Sequence, residues 1–536
     1  MIALACAIAV LFLIALPLGA ATWLRRRAWS SWLVFLVGVA TFAGSQAFHL
    51  PLNHWLADLG LLPAGGAMES MPLWRTALLL GLTAGLCEEL ARTLGFAIWR
   101  RRPRANEAIM AGLGHGGIEA MVFGGVALAA TIGSLLALRE ADLEALDLAE
   151  EARAQIAMQM TFLDEPYANL ALALVERILA MTLHVTFSVI VWQAFSDGHA
   201  SLLRRVGWVA LAIVYHTIVD AVAVSAGQLL AKGWQVELAL LAITVPGAAW
   251  LWRRRRALLP DLPRRQAPSL QSQMPGLSTS LRKELLQLAR RRHLIIALAL
   301  FLFVGISSPL LAYLTPAIFR SIEEVKPFAE LIPEPSTADS LVQYIKNLTQ
   351  FLLPGVILLG MGAVAGEKER GTAAMALSKP IPRWGFVLAK MTAQALLHTV
   401  GLSAGALFAF GYTWVLFEPL PLGPFAFVNL LLWAWLMVYV AVTLLGSTLA
   451  ATTGAAAGLA VALSGLLLLA GQIPTVGQLA PGGLIAWASA IGPGFQGLAP
   501  LADGIPYTNA GALAMAGVLT ALALVAAVGA FEAQEL

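Results

Sequence analysis

Apolar runs of about 20 residues recur along the whole chain, each long enough to cross a hydrocarbon core of about 30 Å as a helix, and about thirteen can be counted. A chain patterned in this way has lipid as its main solvent. The composition agrees: 59% of the 536 residues are hydrophobic and only 12% are charged, far from the balance of an ordinary soluble domain. The expected fold is therefore all-α and polytopic, in a prokaryotic cell (plasma) membrane, with the lipid bilayer as partner and no role for nucleic acid.

The small net charge of +3 hides an uneven placement of arginine. The first seven spans are expected near 2–24, 30–50, 75–99, 107–138, 168–196, 206–226 and 234–252. Arginine clusters follow the first (25–27), third (100–104), fifth (Arg204, Arg205) and seventh (253–256). Placing all four clusters in the cytoplasm satisfies the positive-inside rule, putting the N terminus outside and the C terminus inside. The charges of residues 25–27 follow the first apolar run instead of preceding it, so Met1 to Thr22 reads as a span and not as a cleaved leader. The acidic stretch from Arg139 to Glu165 then falls outside, with the spacing of a surface helix.

Residues 257–280 are rich in Pro, Ser, Gln and Arg and read as a cytoplasmic linker between domains 1–256 and 281–536. Leu281 to His293 has the faces of an amphipathic elbow helix. Six further spans are expected near 294–314, 348–365, 384–416, 425–450, 454–473 and 509–531. Cys6 and Cys87 both sit in apolar runs and give no disulfide or metal framework.

A charge at the centre of a membrane helix costs roughly 2.5 to 3.5 kcal/mol on insertion scales, so several together need a compensating reason. Four consecutive helices of the first half carry them: Glu88, Glu89 and Arg92; His115 and Glu119; Glu176, Arg177, His184 and Ser188; His216 and Asp220. Glu88 with Arg92, His115 with Glu119, Glu176 with His184 through Ala180, and His216 with Asp220 are spaced by multiples of four, one helical face each. At 1.5 Å per residue the depths from the cytoplasmic ends are about 16 Å for Glu88, 12 Å for His115, 18 Å for His184 and 15 Å for His216, which is one plane. A shared cavity is expected there, and Gly112, Gly114, Gly116 and Gly117 allow helices to approach it closely.

The chemistry these groups permit is hydrolysis. Two or three imidazoles with a carboxylate can hold a zinc-like ion, with a further glutamate as general base; without a metal, Glu88 or Glu89 can activate water directly. Arg92 is expected to pair with one glutamate, and Asp220 to orient His216. Glu176 and Arg177 also fit a structural ion pair, and His49 and His54 an interfacial position.

Glu-Glu-Leu-Ala-Arg (88–92), Gly-Leu-Gly-His-Gly-Gly-Ile-Glu-Ala (112–120), Glu-Arg-x-x-Ala-x-x-x-His-x-x-x-Ser (176–188) and His-x-x-x-Asp (216–220) together resemble the YhfC-type intramembrane metallopeptidases. These are grouped with CAAX-processing and PrsW-like proteases, and the resemblance covers residues 1–255. It implies that Glu88, Glu89, Arg92 and Glu119 are catalytic, that His115, His184 and His216 bind the metal, with zinc as cofactor, and that Glu176, Ser188 and Asp220 support them. The CAAX relatives carry Glu-Glu-x-x-x-Arg, one residue longer than here, so the partner of Arg92 can differ.

In the second half, Gly-Glu-Lys-Glu-Arg-Gly-Thr (366–372) lies in an expected cytoplasmic turn after the second of six spans. With the elbow helix and a large external loop after the first span, this resembles an ABC-2 type transporter permease. The resemblance implies a separate ATPase subunit, contacts to it through Glu367, Glu369 and Arg370, and pairing into a homodimer. The chain carries no Gly-x-x-x-x-Gly-Lys-Ser/Thr phosphate loop. Lys390 lies near enough to the cytoplasmic end to snorkel, and His398 reads as packing. The functional expectation is an intramembrane endopeptidase fused to an ABC exporter permease, acting on a peptide or membrane protein. Two alternatives are a transporter whose first half is a proton or ion-coupling site, and one whose first half is an assembly module.

Overall fold

The computed structural model describes residues 1–28, 30–63, 71–99, 103–138, 157, 160–259, 270–290, 293–321, 335–379, 381–491, 499–500 and 506–535. Among the described residues the protein is all-helical apart from a two-residue antiparallel pairing of Ala499–Pro500 with Pro506–Tyr507. Among the described residues, twelve helices are long and apolar enough to cross a membrane, against about thirteen runs counted in the sequence. The one that differs is Leu73–Trp99, a 27-residue helix carrying Arg75, Glu88, Glu89 and Arg92. The charges that define the constellation are the ones that take this helix below an apolar threshold. This is a multi-pass membrane protein.

The chain divides into two compact units, residues 1–129 with 161–267, and residues 130–160 with 268–536. The first contains α1 (Ile2–Ala28), α2 (Trp32–Asp58), α3 (Leu73–Trp99) and α4 (Ala105–Glu119), then a π-helical turn Ala120–Val126 and residues 127–129 of α5 (Ala127–Leu138), the rest of which falls in the second unit. It continues through α6 (Pro166–Ser196), α7 (Leu202–Leu229) and α8 (Gly233–Leu258). Ser31 caps α2 by accepting from the amide of Leu33, and Ser201 caps α7 by accepting from Arg204.

Helix α4 is central, and small residues make that possible. A Cβ on Gly114 would lie 2.0 Å from the Phe35 carbonyl oxygen of α2, and one on Gly38 would lie 2.0 Å from that of Ala111. On the opposite side, a Cβ on Gly112 would meet Val185 Cα at 2.7 Å, and one on Gly116 would meet His184 Cβ at 2.9 Å. Gly81 and Gly85 of α3 stand equally close to the backbone of α7 at Thr217 and Ile213. The glycines therefore set the helix separations that bring the polar faces within hydrogen-bond distance.

The second unit contains α9 (Leu270–Arg290), α10 (His293–Ser321), α11 (Thr337–Gly360), the short α12 (Ala365–Glu369) and α13 (Thr372–Leu377), and α14 (Arg383–Leu416). It ends with α15 (Leu422–Leu449), α16 (Thr453–Ala470), α17 (Pro474–Gly477), α18 (Gly482–Ile491) and α19 (Ala510–Ala533). Its core is formed by Phe301, Tyr344, Phe386, Trp435, Tyr439 and Phe531. Two boundaries differ from the sequence reading. The elbow helix begins at Leu270, inside the expected linker, because Leu277, Leu281, Leu285 and Leu288 continue one apolar face through it. Helix α11 begins at Thr337 rather than at 348, started by Ser336, whose hydroxyl and backbone exchange hydrogen bonds with Asp339 in a capping box. The acidic stretch 139–156, linker residues 260–269 and loop residues 322–334 lie outside the described residues.

Alanine at an exposed helical glycine gains up to about 1 kcal/mol of backbone entropy, whereas forcing a methyl into a packed contact costs about 1–3 kcal/mol. The contact dominates at Gly114, and Gly44 has nothing within 4 Å of an added Cβ. Thermal unfolding in detergent should therefore show a G114A variant melting several degrees lower and a G44A variant at or above the parent.

Candidate active site

The four polar faces meet around Arg92, which is 2% exposed. Its Nε donates to Glu89 Oε2 at 3.0 Å and its Nη2 to Glu89 Oε1 at 3.3 Å, a two-pronged pairing within α3. Nη1 crosses to α6, donating to Ser188 Oγ at 2.6 Å and to the His184 carbonyl at 3.3 Å, while Nη2 stands 3.2 Å from His184 Nδ1. Of the two glutamates, Glu89 is thus the partner of Arg92. Glu89 Oε1 also accepts from His216 Nδ1 at 2.8 Å, which ties in α7.

Glu88 points to the other side of α3. Its Oε2 is 3.0 Å from His115 Nε2 and 3.8 Å from His216 Nε2, and its Oε1 accepts from the Gln46 amide at 3.1 Å. His115 is fully buried, with Nδ1 3.0 Å from Thr41 Oγ1. Because Thr41 already donates to the Gly38 carbonyl at 2.7 Å, its free lone pair accepts the Nδ1 proton of His115. The His115 and His184 ring centroids are 5.0 Å apart and those of His184 and His216 are 5.7 Å apart; Phe187 stacks on His216 at 4.6 Å.

Glu119 closes the site toward the π turn, with His184 Nε2 against its Oε2 and Arg177 Nη1 donating to its Oε1 at 3.2 Å. The turn directly follows Glu119, and at Gly124 an added Cβ would meet the Arg177 side chain at 2.9 Å. The widened turn and the glycine make room for the guanidinium that holds Glu119. Arg177 also pairs with Glu176, whose side chain is 37% exposed at the rim. Asp220 Oδ2 lies 3.6 Å from His216 Nε2.

Among the described residues, one group of three ligand types has donor atoms all within 4.8 Å of one another: Glu88, His115 and His184, all buried. It differs from the trio His115, His184 and His216 expected from the sequence, since Glu88 replaces His216. The hydrogen bonds add a second criterion. A metal-binding histidine normally donates its other ring N–H to an acceptor. His115 does so to Thr41 and His216 to Glu89, leaving Nε2 of His115 facing Glu88 and Nε2 of His216 between Asp220 at 3.6 Å and Glu88 at 3.8 Å. His184 is the reverse: Nδ1 faces Arg92, a donor only, so its proton sits on Nε2 against Glu119. Proximity favours His184 as third ligand and proton placement favours His216. Thr41, Gln46 and the pairing of Arg177 with Glu119 were not anticipated from the sequence. Gln46, three residues before His49 on one polar face of α2, was the available signal.

In the second unit, Glu367 is 3% exposed and Lys390 is 2% exposed, so Lys390 does not snorkel. Lys390 Nζ donates to Glu284 at 3.0 Å and Glu367 at 2.9 Å, and Lys283 Nζ to the same carboxylates at 3.1 and 2.7 Å. Burial works against the Lys283 charge, but its bond to Glu367 and the field of Glu284 hold it above the ordinary lysine value. Glu369 is exposed and accepts from the Thr453 amide and hydroxyl at 3.1 and 2.8 Å, at the start of α16. Arg370 is exposed; of the three candidate ATPase contacts, Glu367 alone is turned inward. Among the described residues His398 hydrogen-bonds only within its own helix, with Nδ1 2.8 Å from the Gln394 carbonyl.

Residues 12–245 match the family described as YhfC intramembrane metalloprotease, and residues 278–534 match the family described as ABC-2 family transporter protein. An uncharacterized transmembrane protein of Bacillus subtilis, YxlG, is 28% identical over 193 residues, covering 36% of this chain and 74% of the relative. An uncharacterized membrane protein of the same organism, YhfC, is 26% identical over 252 residues, covering 45% of this chain and 92% of the relative. No solved structure matches the chain.

Removing one member of a buried ion pair costs about 3–5 kcal/mol, because the charge left behind is uncompensated. A K390M variant should therefore melt well below the parent in detergent, and K390M/E367Q should recover part of the loss; additive losses in that double-mutant cycle would show that the pair is not coupled.

Proposed function

We propose, for a chain that joins a YhfC-family domain to an ABC-2 transporter-family domain, that the first unit is a metal-dependent intramembrane endopeptidase. The observation that carries this reading is Glu88, a buried carboxylate faced by the Nε2 atoms of two histidines whose Nδ1 protons are both engaged. On the proton-placement argument Glu88, His115 and His216 hold a divalent ion, most suitably zinc given nitrogen and oxygen donors. A zinc ion there would act as a Lewis acid toward a peptide carbonyl.

The chain's own residues perform the remaining steps. Thr41 and Glu89 fix the tautomers of His115 and His216, and Arg92 fixes Glu89. Glu119 is the acid-base group: it takes a proton as water adds to the carbonyl and returns that proton to the departing amine, with the His184 Nε2 proton and Arg177 steadying the carboxylate. Asp220, beside His216, and Ser188, bonded to Arg92, support the two sides of the site.

Taking residues 1–256 as the peptidase domain, 257–280 as the connecting segment and 281–536 as the permease domain, the arginine placement supports an external N terminus and a cytoplasmic turn at 366–383. That turn receives a separate ATPase subunit, with Glu369 and Arg370 at the surface, and the permease pairs with a second copy. The peptidase processes a peptide or membrane protein that the permease exports.

Metal analysis by mass spectrometry of the detergent-purified protein should find about one zinc per chain, lost in E88Q, H115A and H216A and retained in H184A. Loss in H184A with retention in H216A would reassign the third ligand to His184. Peptide cleavage should be abolished in all four, and wild-type cleavage in both E88Q and H115A would refute the peptidase assignment.

A further inference from the structure

Hydrolysis consumes water, and Glu88 lies inside a bundle whose outer surface is apolar. Phe48 of α2 and Leu82, Leu86 and Leu90 of α3 are exposed on the outside of the bundle. One row of polar side chains leads away from Glu88 and takes no part in the acid-base geometry. On α2, Gln46, His49 and Asn53 follow at intervals of three and four, hence on one face. Thr83 stands opposite on α3.

The row is connected to the site at one end. Gln46 donates to Glu88 Oε1 at 3.1 Å. Farther along, His49 Nε2 accepts from the Asn53 amide at 2.9 Å and lies 3.3 Å from Thr83 Oγ1. With Nε2 accepting, the proton of a neutral His49 sits on Nδ1. That Nδ1 and the Asn53 Oδ1 are both buried and have no hydrogen-bond partner among the described residues. A buried donor and a buried acceptor left open on neighbouring turns of one helix complement the hydrogen bonding of water, and leaving them dry costs about 1–3 kcal/mol each. From Asn53 to the end of α2 at Asp58 the rise is about 7.5 Å. The row thus spans from Glu88 to near the end of the helix.

We infer that Gln46, His49, Asn53 and Thr83 line the path by which water, the second substrate, reaches Glu88 from the α2–α3 end of the bundle. This rests on the peptidase reading. Gln46 hands water to the carboxylate it already contacts, and His49 and Asn53 supply alternating donor and acceptor positions. On the topology proposed above, that end faces outward, opposite the cytoplasmic arginine clusters.

Cysteine accessibility tests the path without depending on cleavage. In a C6A/C87A background, single cysteines H49C, N53C and F48C are treated in oriented vesicles with a membrane-impermeant methanethiosulfonate reagent, which needs water to reach and ionise the thiol. H49C and N53C should label at least about tenfold faster than F48C, which lies on the lipid-facing side of the same helix, and only from the α2–α3 side. Equal rates at the three positions would overturn the path. In the otherwise native chain, an H49L/N53L variant should retain its zinc while cleaving about tenfold more slowly, a shift of about 1.4 kcal/mol in the barrier. Rapid labelling together with undiminished cleavage in H49L/N53L would overturn the role in water supply. Rapid labelling at H49C and N53C together with a wild-type chain that cleaves no peptide would remove the peptidase reading, and with it water as co-substrate, while the path itself stood.

Discussion

The buried guanidinium of Arg92 is the interaction on which the first unit depends. It engages Glu89 with two nitrogens and reaches across to Ser188 and the His184 backbone with a third contact set, so that α3 and α6 share one charged centre. A planar fork of donors can do this where a lysine ammonium could not. The cost of burying such a charge in lipid is high, and it is met only because every direction around the guanidinium is occupied by an acceptor. The consequence extends beyond stability. By facing Nδ1 of His184 it sets the proton on the far side of that ring, and by holding Glu89 it sets the ring of His216. One side chain therefore decides which nitrogen two of the three histidines present.

That arrangement requires helix backbones close enough for short polar side chains to meet, which is the purpose of the glycines on α4. Glycine is a poor helix former in water, yet four of them between residues 112 and 117 lie in a continuous helix here, because the packing they permit outweighs their entropy cost. The π turn after Glu119 extends the same logic. An inserted residue widens the helix where the large Arg177 side chain must lie against α4, and the carboxylate just before the turn is the one Arg177 holds.

Much of this was legible in the sequence because charge in a membrane helix is expensive and therefore conspicuous. The i, i+4 spacing of His115 with Glu119 and of His216 with Asp220 defined faces that the structure brings together. Neutral polar residues carry no comparable signal. Thr41 satisfies its own hydroxyl on the preceding turn, as membrane threonines do, so its second contact has no mark in the sequence, and Gln46 could have marked nothing more than an interfacial position. His49 read as interfacial for the same reason, although it is partly buried against Thr83. Lys390 shows the opposite failure. Its place near a helix end allowed snorkelling, but its partners come from an elbow helix and a turn distant in sequence, and pairing of that kind has no local signature.

The two buried charge clusters differ in balance, and the difference bears on function. Lys283, Lys390, Glu284 and Glu367 compensate one another completely, two cations against two anions, and a self-neutral cluster needs nothing further to be stable. Around the histidines, Glu88, Glu89, Glu119, Asp220 and Glu176 at the rim outnumber Arg92 and Arg177 by three when every carboxyl is ionised and the imidazoles are neutral. Such an excess of negative charge in a low-dielectric interior is met by protonated carboxyls or imidazoles or by a bound cation. Nδ1 of His115 and of His216 is engaged by Thr41 and Glu89, and each Nε2 faces carboxylate oxygen, an arrangement that a divalent ion or a protonated ring completes. The second cluster is thus built as an internal brace, whereas the first keeps an excess of carboxylates around its histidines, a donor set compatible with a bound cation.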